Sequence, residues 1–367
     1  MSTKKDKFSR QDKNFMTLAL NLANARRGLT GNNPSVGCVI VKKNRIISIG
    51  QTGYNGRPHA EHNAILNCSE NLKNSKMYVT LEPCSHYGKT APCTNKIINN
   101  NIGEVYYSID DIDLKVKGKS YSIFRKNNIR VKRGLLRKDA QNLYKSYFFN
   151  RKKKQPYVIG KIAMSKNKII YSEVSKKITD EISDKLTHYL RFKSDGLLIS
   201  SKTLNIDNPK LNCRLVGYNH FSPKRIILDK NLKINLRTYI VKSIKNKNTI
   251  IFYNSNKKLK IKFLKKKGAI LIRQTINKDK NLDLKKILKK LYKIGISNLL
   301  VEGGDILTKN FLKKKLFNEF YMFKSSKNLP KNKKYVNFTS LSILNAKYNN
   351  YKISSKLDRD NLTIFKN

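Results

Sequence analysis

Two short stretches decide how this chain reads: Pro58-His59-Ala60-Glu61 and Pro83-Cys84-Ser85-His86-Tyr87-Gly88-Lys89-Thr90-Ala91-Pro92-Cys93. Apolar spacing predicts a helix over His59–Leu72, introduced by Pro58, a residue tolerated in a first helical turn. Met77-Tyr-Val-Thr-Leu81 alternates like a strand and runs into Glu82-Pro83-Cys84. One His and two Cys supply the three protein ligands of a catalytic zinc site, which keeps its fourth position open for water. Glu61, two residues past His59, can reach that water without ligating the metal. Zinc brings the pKa of such a water to ~7, giving hydroxide at neutral pH, and a carboxylate that does not ligate can carry protons from it to a leaving amine.

A His-Ala-Glu alone is common by chance, and two cysteines alone could be buried hydrophobes. Their conjunction, with a helix-opening histidine, a following strand and two Pro-Cys dipeptides, is the H-x-E…P-C…C pattern of zinc deaminases. His62 and His86 lie close in sequence and read as neighbours of the site rather than ligands. Cys38, Cys68 and Cys213 read as apolar filler.

Outward from the motif, the first part of the chain alternates. A helix is expected over Phe15–Ala25, a strand pair at Val36–Val41 and Arg45–Ile49, a helix after Pro92, a strand at Glu104–Ile109 and a helix at about Lys138–Phe149. Arg151-Lys-Lys-Lys-Gln-Pro156 reads as a linker. Beyond it, strands are expected at Tyr157–Met164, Gly196–Ser200, Arg225–Leu228, Thr249–Tyr253, Ala269–Ile272 and Asn298–Val301. Helices fit Thr179–Lys193, Asp283–Lys293 and Ile306–Lys314, and two closing strands fit the Lys/Asn-rich stretch after Tyr321. Strands alternating with helices predict two α/β domains, 1–150 and 151–367, the second with a largely parallel sheet.

The 367 residues carry 78 Lys and Arg against 24 Asp and Glu, a formal net charge of +54. Such a balance suits a polyanion partner. The cations, however, are 62 Lys and 16 Arg, scattered in short runs such as Lys265–Lys267, and Trp is absent. Phosphate-reading surfaces favour the Arg fork, so most of the charge reads as compositional drift, and nucleic acid is not expected as a partner. No stretch approaches the ~20 apolar residues of a membrane span, and the first residues lack a signal-peptide core. Five scattered cysteines fit a reducing compartment rather than a disulfide framework. The expected location is cytoplasmic.

Most nucleobase deaminases carry P-C-x-x-C, whereas here eight residues separate Cys84 from Cys93. That loop, with Asn33-Pro-Ser-Val-Gly37 and Thr80-Leu-Glu-Pro-Cys84, resembles the bifunctional riboflavin-biosynthesis deaminase–reductase family over essentially the whole chain. The resemblance implies a cytidine-deaminase-like α/β/α domain followed by a dihydrofolate-reductase-like domain. It implies zinc-hydroxide deamination of 2,5-diamino-6-(5-phosphoribosylamino)pyrimidin-4-one, a phosphorylated pyrimidine, followed by NADPH reduction of the ribosyl group to ribityl. It makes His59, Cys84 and Cys93 the Zn2+ ligands and Glu61 the proton shuttle. Asn33, Lys89 and Asp111 become deaminase substrate contacts, with Lys89 at the phosphate.

In the second half, Thr203-Leu-Asn-Ile-Asp-Asn-Pro-Lys-Leu-Asn-Cys-Arg214 and Leu300-Val-Glu-Gly-Gly-Asp-Ile-Leu307 resemble the family's reductase motifs. Lys161, Thr203, Asp207, Gly303, Gly304 and Asp305 become cofactor contacts. Ser175, Arg191, Leu211, Arg214 and Glu302 become substrate contacts. A diglycine between strand and helix also makes physical sense as a phosphate seat. The resemblance permits a homo-oligomer.

The chain departs from the family pattern at several points. Arg57 stands where an acidic residue is usual, Thr52 where a His is usual, and both prolines are gone from the segment Asp111–Ser120. In the reductase half, Asn167 and Lys168 stand for an Asp-Gly pair, so that Lys168 is expected in a tight turn, and Lys177 stands for a Trp. Two rival readings follow: a deaminase with a decayed reductase half, and a basic RNA-binding protein on a deaminase fold. The second lacks an RNA-reading motif or an aromatic–basic stripe.

Overall fold

The computed structural model describes residues 7–88, 90–175, 177–277, 279–348 and 351–367. The chain forms two compact units, Met1–Lys154 and Gln155–Asn367.

The first unit runs α1 (Arg10–Ala25), β1 (Gly37–Lys42), β2 (Arg45–Gln51), α2 (Ala60–Leu66), β3 (Lys76–Val79), α3 (Cys93–Asn99), β4 (Glu104–Tyr107), α4 (Lys119–Lys126), β5 (Arg130–Arg133) and α5 (Arg137–Lys153). Helix α1 starts five residues before its apolar stripe because Ser9 and Asp12 form a reciprocal capping box. Its Ala19 and Ala23 lie on β1, and a Cβ on Gly37 would collide with the Ala19 backbone. The five strands are ordered β2-β1-β3-β4-β5. The β1 pairings are antiparallel and β3, β4 and β5 are parallel. The core between helices and sheet includes Met16, Val39, Met77, Ile97, Phe124 and Tyr144.

Two expectations need correction here. The helix over His59–Leu72 ends at Leu66, and His59 is its N-cap, so Pro58 lies outside it; Asn67 and Cys68 close the turn through backbone bonds to Asn63 and Ile65. The expected linker Arg151–Pro156 begins inside α5, which continues to Lys153. Arg and Lys are good helix formers, and cations favour a helix C-terminus.

The second unit runs β6 (Tyr157–Met164), β7 (Ile169–Ser172), α6 (Glu181–Phe192), β8 (Gly196–Ser200), α7 (Ser201–Asp207), β9 (Lys224–Leu228), α8 (Tyr239–Lys242), β10 (Thr249–Tyr253), α9 (Lys258–Lys266), β11 (Ile270–Arg273), α10 (Leu284–Lys293), β12 (Asn298–Val301), α11 (Asp305–Lys313), β13 (Glu319–Lys324), β14 (Tyr335–Asn337), α12 (Leu341–Lys347), β15 (Tyr351–Leu357) and β16 (Asp360–Lys366). Nine strands form one sheet, β11-β10-β9-β8-β12-β6-β13-β16-β15, while β7 and β14 pair apart. From β11 to β13 the sheet is parallel, and the hairpin β15–β16 joins antiparallel. Helices cover both faces, so the central strands are apolar throughout, as in Leu197–Ile199 and Ile250–Phe252. Two cores result, one under α10 and α11 and one under α6 and α8. Among the described residues no helix is long and apolar enough to cross a membrane.

Candidate active sites

In the first unit, the N-terminus of α2, the segment after β3 and the N-terminus of α3 meet. His59 caps α2 and Cys93 opens α3, while Cys84 follows the end of the strand. His59 Nδ1 lies 3.5 Å from Cys84 Sγ and 3.4 Å from Cys93 Sγ. Zinc with Zn–N and Zn–S bonds of ~2.0 and ~2.3 Å in a tetrahedron would set N···S edges of about 3.6 Å. The three side chains therefore fit the ion without rearrangement, and among the described residues they are the one group with metal-ligand spacing. The Cys93 amide donates to Cys84 Sγ at 3.3 Å. Hydrogen bonds from Cys93 and His59 hold the Cys84 thiol down to about 4, while the Cys93 thiol, hydrogen-bonded to Cys84 and buried, is pushed up.

Glu61 sits in the first turn of α2, buried, and hydrogen-bonded by Cys93. Burial pushes its carboxyl up to about 7. A cavity beside these groups is lined also by Asn33, Arg57, His86, Asp111, Asp113, Tyr147 and Arg151. Asn33 donates to the Gly56 carbonyl at 3.2 Å. Gly56 has φ +87°, and a Cβ there would strike the Asn33 side chain. Asp111 accepts from Tyr147 Oη and from the Asp113 amide. Lys89 lies outside the described residues.

Behind Asp111 stands Glu82, buried, whose carboxylate accepts the amides of Asp111, Gly118 and Ser120 and the Ser120 hydroxyl at 2.8–3.3 Å. The sequence reading passed over Glu82, although it stands in the Thr80–Cys84 segment. It also gave no site role to Arg57, Tyr147 or Arg151; the substitution at Arg57 was the one available signal.

The second unit carries a cavity of about 250 Å³ at the C-terminal ends of β6, β8 and β12. Its wall brings together Lys161, Thr203, Asp207, Glu302, Gly303, Gly304 and Asp305, with Ile162, Ile170, Ile206 and Leu307 as apolar surface. An elongated ligand with one anionic and one flat apolar part suits such a lining. A Cβ on Gly303 would crowd Leu307, and Gly304 caps α11, so the first turn of a helix borders the cavity, a place suited to an anionic group. The Asp305 carboxylate is engaged elsewhere: it accepts from the amides and hydroxyls of Thr339 and Ser340. Only its backbone is left for a ligand.

Glu302 receives Nε and Nη2 of Arg191, both at 2.7 Å, and Arg191 also donates to the Asn212 carbonyl at 3.1 Å. Burial alone would raise the Glu302 carboxyl, but Arg191 and Lys161 hold it below its usual range. Burial pushes the Lys161 ammonium down. Arg191, Leu211 and Arg214 line a second cavity with Lys210. Leu211 holds φ +51°, and His188 Nδ1 accepts the Arg214 amide at 3.2 Å. Ser175 lines neither cavity; its hydroxyl donates to the Lys177 carbonyl at 3.2 Å.

The altered turn after β6 is intact. Lys168 takes φ +65°, the left-handed conformation expected where the family has glycine. Asn167 serves better there than a carboxylate, since its amide donates to the Leu329 carbonyl and its oxygen accepts the Leu329 amide.

A hydrolytic zinc domain joined to a dinucleotide-binding α/β domain defines a two-domain deaminase–reductase whose cofactors are Zn2+ and NADPH. Residues 9–109 match the cytidine and deoxycytidylate deaminase zinc-binding region, and residues 156–346 match the RibD C-terminal domain. The chain is 36% identical to riboflavin biosynthesis protein RibD of Aquifex aeolicus over 85% of its length and 86% of the relative's. It is 34% identical to RibD of Actinobacillus pleuropneumoniae over 85% and 83%. A solved structure from Thermotoga maritima, a diaminohydroxyphosphoribosylaminopyrimidine deaminase/5-amino-6-(5-phosphoribosylamino)uracil reductase, superposes with a TM-score of 0.82 at 30% identity, covering 97% of this chain and 98% of that one. Acinetobacter baumannii RibD gives 0.82 at 25% identity over 97% and 99%. The chain belongs to the RibD family of bifunctional deaminase–reductases of riboflavin biosynthesis.

Proposed function

We propose that the first unit removes the ring 2-amino group of 2,5-diamino-6-(5-phosphoribosylamino)pyrimidin-4-one as ammonia, and that the second reduces the ribosyl group of the product to ribityl. The observation that carries this reading is the meeting of His59, Cys84 and Cys93 at zinc-ligand spacing with Glu61 buried against Cys93.

His59, Cys84 and Cys93 would hold zinc, which would supply a water of pKa ~7 at its open position. Glu61 takes one proton of the attacking water to the ring nitrogen and then carries the remaining hydroxyl proton to the departing amine, so that ammonia leaves and a carbonyl oxygen remains on the ring. Asn33 and Asp111 orient the ring, and Lys89 contacts the phosphate.

NADPH, when bound, supplies a hydride. Lys161, Thr203, Asp207 and the backbone of Gly303, Gly304 and Asp305 would hold it in the cavity at the ends of β6, β8 and β12. Glu302, through Arg191, keeps Leu211 and Arg214 facing the substrate, whose opened ribose accepts the hydride at C1′ and a proton at the attached nitrogen. The well-bonded turn at Ser165–Lys168 supports an active reductase half. Two thiol ligands favour a reducing cytoplasm.

Purified protein should hold about one zinc per chain, release ammonia from the diaminopyrimidine and oxidise NADPH. Glu61→Gln should keep zinc and lose ammonia release, because the ligand set is intact and the proton carrier is gone. Ammonia release by that variant would refute the role of Glu61. No NADPH oxidation on the deaminated intermediate would refute the second step.

A further inference from the structure

We propose that Arg57 is a substrate-contacting residue of the deaminase cavity and reads the substrate phosphate. The inference rests on the deaminase reading above.

The cavity beside the zinc ligands is rich in acids: Glu61, Glu82, Asp111 and Asp113 all line it. A phosphorylated substrate entering it needs a cation to offset them. Among the described lining residues, Arg57 and Arg151 are the arginines and no lysine contributes. Arg151 lies over the Tyr147 ring at 5.3 Å.

Arg57 is aimed by its backbone. The turn Tyr54–Gly56 that precedes it folds back so that Gly53 donates to the Pro58 carbonyl at 2.8 Å. A Cβ on Gly53 would strike the Arg57 carbonyl, and one on Gly56 would strike Asn33. The segment therefore sits tightly, with Arg57 half-buried beside Asn33. Its Nη1 donates to Thr90 Oγ1 at 2.5 Å, and its Nη2 passes 3.7 Å from where a Gly88 side chain would begin. The guanidinium thus borders the loop between the two cysteines on both sides of position 89. One Nη1 bond leaves other N–H groups of the planar fork to meet a phosphate.

The family's usual acid at this position would oppose a phosphate, so the substitution reverses the charge at the cavity wall. Thr52, in place of a usual His, is committed to backbone bonds with Pro34 and Val36. Arg57 thereby gains a share of substrate recognition in this chain.

The test compares ammonia release from the phosphorylated pyrimidine and from the same compound lacking the phosphate. Arg57→Gln should raise KM for the phosphorylated form about 10- to 100-fold, as expected for losing charge-assisted hydrogen bonds. It should leave kcat within about threefold and KM for the dephosphorylated form unchanged. Arg57→Lys should fall between, keeping charge without the fork, and it serves if the Gln variant loses zinc or fails to fold. Thr90→Val should keep the preference for the phosphorylated form. Equal losses on both substrates would mean that Arg57 only positions the loop, and no loss would mean no contact; either overturns the proposal. Wild-type protein that releases no ammonia at all would sink the deaminase reading itself.

Discussion

Neutralising Glu302 should destabilise the second unit more than any other conservative exchange in its cavity wall. Its side chain is 14% exposed and that of Arg191 is 11% exposed, with two parallel hydrogen bonds of 2.7 Å between them. Lys161 lies nearby, where burial pushes its ammonium down and the Glu302 carboxylate pushes it back up. Glu302→Gln keeps the shape and one acceptor, but strands the Arg191 charge in a poorly solvated site. Breaking a buried pair from one side costs about 3–5 kcal/mol. At roughly 2–4 °C per kcal/mol for a unit of this size, its unfolding transition should fall by about 6–20 °C. Calorimetry reads that transition, while zinc content and ammonia release report separately on the first unit. Because the cost is that of an orphaned charge, Arg191→Gln combined with Glu302→Gln should be milder than the sum of the single exchanges by more than about 2 kcal/mol. Strictly additive losses, or a Glu302→Gln shift under about 2 °C, would show that no buried charge is orphaned there.

Lys168→Gly should stabilise the second unit by about 0.5–1 kcal/mol, the left-handed strain of Lys168 outweighing the added freedom of the unfolded chain; a lowered melting temperature would contradict this. Asp195 accepts the Ser297 and Asn298 amides, yet burial raises its carboxyl to about 6 from an ordinary 3.8. The fold thus favours the neutral acid: this stabilisation is full below about 3.8 and lost as pH rises through about 6, some 3 kcal/mol in all. The stability of wild type relative to Asp195→Asn should therefore decline between about pH 4 and 6, and parallel pH profiles would refute the assignment.

Much of this architecture is legible without coordinates, for reasons that differ by element. Strands such as Gly196–Ser200 and Thr249–Tyr253 are covered on both faces, so burial writes them as continuous apolar runs with sharp ends. The zinc centre is legible because chemistry restricts its ligands to few residue types, and all three follow proline. Helices α4 and α9 escaped notice, since most of their positions face water and accept lysine. The start of α1 depends on the Ser9–Asp12 capping box rather than on hydrophobic spacing. Asp305 and Glu82 show the harder limit. Motif position draws attention to Asp305, but only the fold shows its carboxylate bound to Thr339 and Ser340. The partners of Glu82 lie some 30 residues ahead in the chain and are mainly backbone amides, which leave no mark on side-chain identity.

That last property bears on how this enzyme evolves. A carboxylate that grips Asp111, Gly118 and Ser120 mainly through their amides holds both ends of the intervening loop whatever side chains it carries. The loop sequence is correspondingly free to vary, and Asp111 lines the cavity although the residues that follow it carry no proline. In a chain as rich in lysine and asparagine as this one, mutational robustness of this kind lets an active site survive around a changing surface. Drift should therefore spare Glu82 long after it has rewritten residues 112–117.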